Sequence, residues 1–420
     1  MMDIALDFGT TNSVLAWRDP GRRLYSWRFD CDGKSHDTYR SVLYVEPEED
    51  AGGKRLQVWA GPAAIAEYNR FGESGRLLQS LKSHLASPHF TGTQIFGTSF
   101  TLEQLIARFL RQLREDAEAS DITVGNSLTI GRPVRFVGEG ADETLALTRL
   151  QQAFTQAGFD ECRFVEEPIA AAYAFAQRAQ QPGRVLIADL GGGTTDYAIV
   201  DIISVGACPE LKIIATGGVG VAGDDLDAAI IDKVVTPQLG QGTVLKNGQP
   251  VPQWLYNYVR RWHHLSFLRT PQNLTLIRDL IGQAKNPQPL ERLLALITDN
   301  QGFALAQAVG AAKQQLSTQD AADFQFGLGD SEIKATIMRT EFEKWIEPHL
   351  RKMRHAAEAT LTSAGILPSS IDHVFMTGGT SYVPAVKRLF TSLLTRAEQH
   401  HGDELTSVAA GLALQAGAYQ

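Results

Sequence analysis

The chain is poor in sulfur: its 420 residues include three cysteines (Cys31, Cys162 and Cys208) and five methionines. No two cysteines stand at metal-ligand spacing, and an odd, sparse set builds no disulfide scaffold, so a reducing, cytoplasmic setting is expected. Long apolar runs are missing as well. Val185-Leu186-Ile187-Ala188 is preceded by Arg184 and ended by Asp189, far short of a membrane span, and no membrane partner is expected. The strand-like pattern begins at once, in Asp3-Ile4-Ala5-Leu6-Asp7, leaving no room for a signal peptide. Positive charge does not dominate: 39 Lys and Arg face 47 Asp and Glu, for a formal net charge of -8. That balance argues against a polyanion binder, so no nucleic-acid partner is expected. It leaves local phosphate binding open, because backbone amides and one lysine achieve that without a basic surface.

What is present is ordinary globular composition, 44% hydrophobic and 20% charged, in a chain too long for one typical core. One pattern occurs twice. An apolar strand ends in Asp7 and turns through Gly9-Thr10-Thr11-Asn12 into a return strand. A second ends in Asp189 and turns through Gly191-Gly192-Gly193-Thr194-Thr195 past Asp196 into another. The two starting aspartates stand about 180 residues apart, which suits a duplicated domain and not a solenoid. Helical spacing is expected over 102–119, 145–157, 169–179 and 290–316, and from a capping box at Thr340 and Glu343 through Ser363. Short strands are expected at 42–45, 127–133, 162–165, 185–188, 197–203, 211–216 and 374–377. Residues 236–289, with Trp254, Tyr256, Tyr258, Trp262 and Phe267, read as a mostly helical insertion whose aromatics serve either a core or a partner surface. The chain closes on an apolar small-residue helix over 407–420.

A hairpin with a Gly/Thr turn presents backbone N–H groups and hydroxyls together, which suits phosphate. Carboxylates beside it repel an anion unless a hydrated Mg²⁺ lies between, and Asp7, Asp189 and Asp196 would hold that ion through its waters. Either loop alone reads equally well as a plain tight turn. Two at equivalent points of a repeat favour phosphate chemistry.

These motifs resemble those of the Hsp70 chaperones, within the actin, hexokinase and Hsp70 ATPase superfamily, and most nearly its short YegD-type members. Asp7-Phe8-Gly9-Thr10-Thr11-Asn12-Ser13 and Asp189 to Asp196 are similar to the family's two phosphate motifs. Val165-Glu166-Glu167-Pro168-Ile169-Ala170 resembles its connecting helix, Ala222-Gly223-Asp224-Asp225-Leu226-Asp227 a further loop, and Met376-Thr377-Gly378-Gly379-Thr380-Ser381 its adenosine motif; Ile130-Gly131-Arg132-Pro133 is shared with the short members. The resemblance implies an α/β, two-lobed actin-like ATPase fold of duplicated ribonuclease H-like domains with inserted subdomains. Its lobe I covers 1–184 and its lobe II 185–400, with the helical insertion at about 236–316, and 401–420 return to lobe I as a helix. It implies ATP or ADP with Mg²⁺ as cofactors. Lys82, Glu167 and Thr194 take the catalytic roles. Asp7, Gly9, Thr10, Thr11, Asn12, Gly191, Gly192, Gly193, Thr194, Gly223, Lys313, Ser317, Gly378, Gly379, Thr380 and Tyr382 bind the nucleotide, with Thr10, Thr11 and Thr194 on its phosphates.

The sequence departs from the family around the base. Gly310 and Gln314 replace a usual Glu and Arg, and Tyr382 stands where an Arg stacks on adenine; an aromatic ring can stack there too. No peptide-binding domain is expected in this chain. The expected function is a slow Mg-dependent ATPase that switches affinity for a protein partner and is chaperone-related by analogy of fold. A nucleotide-binding regulator or scaffold with negligible turnover is the alternative, and a small-molecule kinase of the same superfamily a more distant one.

Overall fold

A computed structural model describes every residue except 1, 2, 20, 22, 32, 33, 51, 52, 72, 73, 139, 207, 330, 403–405 and 417–420. The run Ile4-Ala5-Leu6 is apolar on both sides, as expected of a strand covered on both faces, and Asp7 follows at the turn end of the Ala5 face. It forms β1 (Asp3–Phe8), antiparallel to β2 (Asn12–Arg18). Strand alternation splits the neighbours. Ile4, Leu6 and Phe8 join a core with Phe109 and Leu110 of α1 (Leu102–Glu118) and with Phe154 of α2 (Glu143–Gln156). Ala5, Val14 and Ala16 face a second core, with Ala170, Ala171, Leu412 and Ala413. Helix α1 opens as the apolar periodicity at Leu102, Leu105, Ile106, Phe109 and Leu113 requires, behind a capping box of Thr101 and Gln104.

The first sheet runs β5-β4-β1-β2-β3, with β3 (Leu24–Ser26), β4 (Ser127–Arg132) and β5 (Glu161–Glu166). The second runs β8-β7-β6-β9-β10, with β6 (Gly183–Leu190), β7 (Thr195–Ser204), β8 (Glu210–Val219), β9 (His373–Thr377) and β10 (Glu398–His401). Each is an antiparallel meander of three strands whose first strand pairs in parallel with a later one, which pairs in parallel with the last. The two sheets thus share one topology, and the expected duplicated α/β fold is the observed one.

Helix α3 (Glu167–Arg178) leaves β5 and packs on β6 and β7, whereas α4 (Ser407–Ala416) leaves the second sheet and packs on β1 and β2. The two helices also pack on each other. Small residues allow this: a Cβ added to Gly411 would stand 1.7 Å from the Ala170 carbonyl oxygen. Residues 417–420 of the expected terminal helix lie outside the described residues.

The chain separates into two compact units. The first comprises Met1–Gly223, Arg351–Tyr382 and Val386–Gln420, and holds both sheets. The second comprises Asp224–Leu350 and Val383–Ala385. It carries helices Trp254–Arg260, Pro271–Gln283, Gln288–Thr298 and Gly302–Thr318 and the hairpin Ala321–Leu328/Ser331–Met338. In its aromatic segment Tyr256 is buried, while Trp254 and Phe267 each keep 39% exposure.

Three local expectations need correction. The helix expected over 290–316 is two helices, broken where Asn300 takes a positive φ of 53°. Helix Arg339–Ser363 starts one residue ahead of Thr340, so Thr340 lies inside its first turn and not at its N-cap. The strand expected at 42–45 runs Val42–Asp50 and joins a three-stranded sheet with Gly53–Ala60 and Arg76–Gln79. Among the described residues no helix is long and apolar enough to cross a membrane.

Candidate functional site

Both Gly/Thr hairpins lie in the first unit and close in the same register. Asp7 pairs with Val14 and Phe8 with Ser13; Asp189 pairs with Asp196 and Leu190 with Thr195. Each turn therefore spans four residues, Gly9 to Asn12 and Gly191 to Thr194. Glycine opens each for a steric reason: a Cβ on Gly9 would stand 2.2 Å from the Asn12 carbonyl oxygen, and one on Gly191 3.3 Å from that of Thr194. The tips face one another, since a Cβ on Gly193 would lie 3.7 Å from Thr10 Oγ1 and 4.0 Å from Ser83 Oγ.

The second turn is braced from two sides. The Gly223 N–H and the Thr380 hydroxyl both donate to the Gly191 carbonyl oxygen, at 3.2 and 2.9 Å. Gly378, at φ 83°, passes so close to Leu190 that an added Cβ would meet its carbonyl oxygen at 2.2 Å. In the first turn Asn12 is held by Arg40, which donates to its Oδ1 at 3.2 Å, and the Thr11 carbonyl accepts the Ser41 N–H at 3.0 Å.

Beneath the turns lies a buried ionic cluster. Lys82 sits on the short helical turn Leu81–His84, preceded by Ser80 at φ 54°. That left-handed conformation costs a non-glycine residue on the order of 1–3 kcal/mol and is typical of functional sites. Glu167 is the first residue of α3, with Pro168 fixing the helix start. Lys82 Nζ and Glu167 Oε1 lie 2.5 Å apart with both side chains buried. Asp189 and Asp196, opposite each other across β6 and β7, are buried too.

Charge is out of balance here. Burial, then Glu167, pushes the Asp7 carboxyl up to about 7 against the pull of Lys82. Burial and Glu167 likewise push Asp196 up to about 7. Asp189 is raised well above the carboxylate range by burial, then by Glu167, Asp7 and Asp196. For Lys82 burial works against the charge, but Glu167, Asp7 and Asp196 together hold its ammonium above the ordinary value. Among the described residues one ammonium thus serves four carboxyl groups.

Asp196 Oδ1 accepts the Val134 N–H at 2.8 Å, and Thr194 also hydrogen-bonds its carboxyl. Asp196 Oδ2 is buried with no hydrogen-bond partner among the described residues. An orphaned carboxylate oxygen among acids that burial and mutual repulsion have weakened is the donor set of a hard divalent cation. Asp7, Asp189 and Asp196 therefore fit Mg²⁺ held directly or through waters.

Two contributors escaped the sequence reading. Val134 anchors Asp196, and Gly131 leaves room for Glu167, since a Cβ there would lie 3.2 Å from Glu167 Cγ. Their signal was the Gly131-Arg132-Pro133 turn at the end of β4. Arg132 in that turn pairs with Glu166 at 2.8 Å.

The residues expected around adenosine fall in different units. Gly379 opens the short turn Gly379–Tyr382 of the first unit, and Tyr382 is 43% exposed with Lys387 Nζ 5.5 Å from its ring centre. Lys313 and Ser317 belong to the second. Lys313 pairs with Asp227 at 2.8 Å, and the Ser317 hydroxyl donates to the Lys313 carbonyl at 3.1 Å. Asp224 nearby is pushed up to about 6, by burial and then by Asp227.

Residues 80–243 and 297–420 match the family described as "Hsp70 protein". The chain is 26% identical over 440 residues to "Chaperone protein DnaK" of Deinococcus proteolyticus, an alignment covering 99% of this chain and 59% of that protein. It is 26% identical over 428 residues to a protein of the same name from Thermus thermophilus, covering 99% and 60%. For that of Thermosipho melanesiensis the figures are 25% over 415 residues, 98% and 58%. The chain spans about three fifths of the length of these curated relatives. With matches over more than half its length, and with two sheets of one topology bearing two apposed hairpins, this chain belongs to the Hsp70 family.

Proposed function

We propose that this protein binds ATP or ADP through its two apposed hairpins, with Mg²⁺ against Asp7, Asp189 and Asp196, and hydrolyses ATP slowly. The carrying observation is the identical register of the two hairpins, with Thr10 facing Gly193 above the buried Lys82–Glu167 pair.

Backbone N–H groups of Gly9 to Asn12 and of Gly191 to Thr194 would cradle the phosphates, aided by the Thr10, Thr11 and Thr194 hydroxyls. Mg²⁺, when bound, neutralises charge on the phosphate oxygens. Among the described residues Lys82 is the one ammonium in the cluster, and it would meet the terminal phosphate. Glu167, fixed at the start of α3, would orient the attacking water. Attack in line on the γ-phosphorus breaks its bond to the ADP oxygen, and catalysis comes from positioning and charge. Within the first unit, the adenosine would rest against Gly378, Gly379 and Tyr382.

In this reading 1–184 and 185–400 are the lobes of a nucleotide-driven switch, with α3 and α4 between their sheets. The relatives' name, chaperone protein, supports a chaperone-related role through a protein partner. Lys82 committed to Glu167 at 2.5 Å favours a second reading, a nucleotide-dependent regulator with negligible turnover. Phosphate release from ATP by wild type, Lys82→Ala and Asp189→Asn decides between them. Release that depends on both residues supports the ATPase; tight binding with no release in any of the three supports the regulator.

A further inference from the structure

Three metal-ligating side chains converge on the second sheet, outside the acidic cluster. Strands β9 and β10 run parallel, and His373 is paired with Glu398. Residues directly opposite share a face, and so do residues two apart on one strand. His373, Glu398 and His400 therefore project to the same side, while His401 alternates away. The pairing of β10 to β9 is secured beyond the ladder by the Glu398 N–H donating to the Asp372 carbonyl at 2.9 Å.

Their ligand atoms form a nearly equilateral triangle. His373 Nδ1 and His400 Nε2 are 3.1 Å apart, and Glu398 Oε2 stands 3.7 Å from the first and 3.6 Å from the second. A point at the centre of that triangle is about 2.0 Å from all three, the bond length of Zn²⁺ to imidazole nitrogen and carboxylate oxygen. Two ring nitrogens turned toward each other need either a proton or a cation between them. Phe175 of α3 packs on both rings, its centre 5.8 Å from that of His373 and 5.1 Å from that of His400, so one side of the triangle is walled. The His373 side chain is only 12% exposed, whereas Glu398 is 69% exposed, which leaves room for a water as fourth ligand.

We propose that His373, Glu398 and His400 bind a borderline divalent transition ion, Zn²⁺ foremost, and thereby clamp the edge strand β10 to β9. Two imidazoles and one carboxylate suit Zn²⁺ better than Mg²⁺ or Ca²⁺, which take oxygen ligands. The site is distinct from the acidic cluster. His373 pairs with Val185 and Thr377 with Asp189, so the two lie at opposite ends of the same strand pair, separated by about 13 Å at 3.3 Å per residue.

The test is titration of the EDTA-stripped, nucleotide-free full chain with Zn²⁺ against a chromophoric chelator, and with Co²⁺ as a spectral probe. Wild type should take up one Co²⁺ with the intense visible absorption of a tetrahedral site. Glu398→Gln, at an exposed position that leaves folding intact, and His400→Gln should each weaken Zn²⁺ by at least about tenfold, the least that even an outer-shell loss costs. His355→Gln, at a position 89% exposed, should bind as wild type does. Zn²⁺ should also raise Tm in wild type and leave Tm of the two site variants unchanged. Absence of stoichiometric binding by wild type would overturn the proposal, the rings then sharing only a hydrogen bond. Equal affinity in wild type, Glu398→Gln and His400→Gln would overturn it as well.

Discussion

Replacing Asp196 by Asn should make the nucleotide-free, metal-free protein more stable at pH 8. Burial and Glu167 lift this carboxyl from 3.8 to about 7. The folded state therefore prefers the neutral acid, while the unfolded chain ionises near the ordinary value. Between those two values the folded state binds the extra proton, so stability falls as pH rises from about 4 to about 7 and levels off above. A shift of roughly three units corresponds to a ceiling of about 4 kcal/mol, at about 1.4 kcal/mol per unit. The amide oxygen can still accept the Val134 N–H, so the bond seen at 2.8 Å is kept while the charge facing Glu167 and Asp189 is removed. The expected gain at pH 8 is about 2 kcal/mol, half the ceiling, because the remaining acids still repel one another. The assay is thermal unfolding in EDTA at pH 5, 6, 7 and 8. Tm of the variant should exceed that of wild type at pH 8 and converge with it toward pH 5. A variant less stable than wild type at pH 8, with the same dependence on pH, would show that burial of the ionised Asp196 carboxyl carries no such cost.

Other consequences follow from single contacts. Mg²⁺ should raise the wild-type Tm more at pH 8 than at pH 5.5, because the cation competes with protons for the same carboxylates; a larger effect at the lower pH would contradict this. Lys82→Met strands Glu167 in a buried site and should cost about 3–5 kcal/mol by chemical denaturation, whereas Lys82→Met/Glu167→Gln should recover much of that. Gly411→Val would force α3 and α4 apart at the Ala170 carbonyl and should cost upwards of about 3 kcal/mol, the top of the usual overpacking range. Gly9→Ala would drive a methyl into the Asn12 carbonyl and should weaken ATP in calorimetry while leaving the Asp189 hairpin intact.

The parts of this structure set by local chemistry could be read from the sequence. Both hairpins announce themselves through Asp, Gly and Thr at fixed offsets, and α3 through Pro168 and a run of alanines. The small residues of α3 and α4 permit the approach at Gly411. The parts set by tertiary partners could not. Strand β10, Glu398-Gln399-His400-His401, is polar and becomes a strand only because β9 offers it an edge. Val134 contributes a backbone amide, marked in the sequence only by the Gly131-Arg132-Pro133 turn before it. Lys82 looked like any surface lysine until resemblance singled it out, and its burial against Glu167 depends on residues 85 positions apart. Thr340 carried a capping signature that a helix starting one residue earlier overrides.

The central claim is that two duplicated hairpins and the acids beneath them form one phosphate cleft. Calorimetric titration of ATP into the full chain, with Mg²⁺ and then with EDTA, addresses it directly. The account predicts one site per chain, markedly weakened by EDTA and by either Gly9→Ala or Asp189→Asn. Binding that is equally tight without Mg²⁺ and indifferent to both substitutions, or no binding at all, would contradict it.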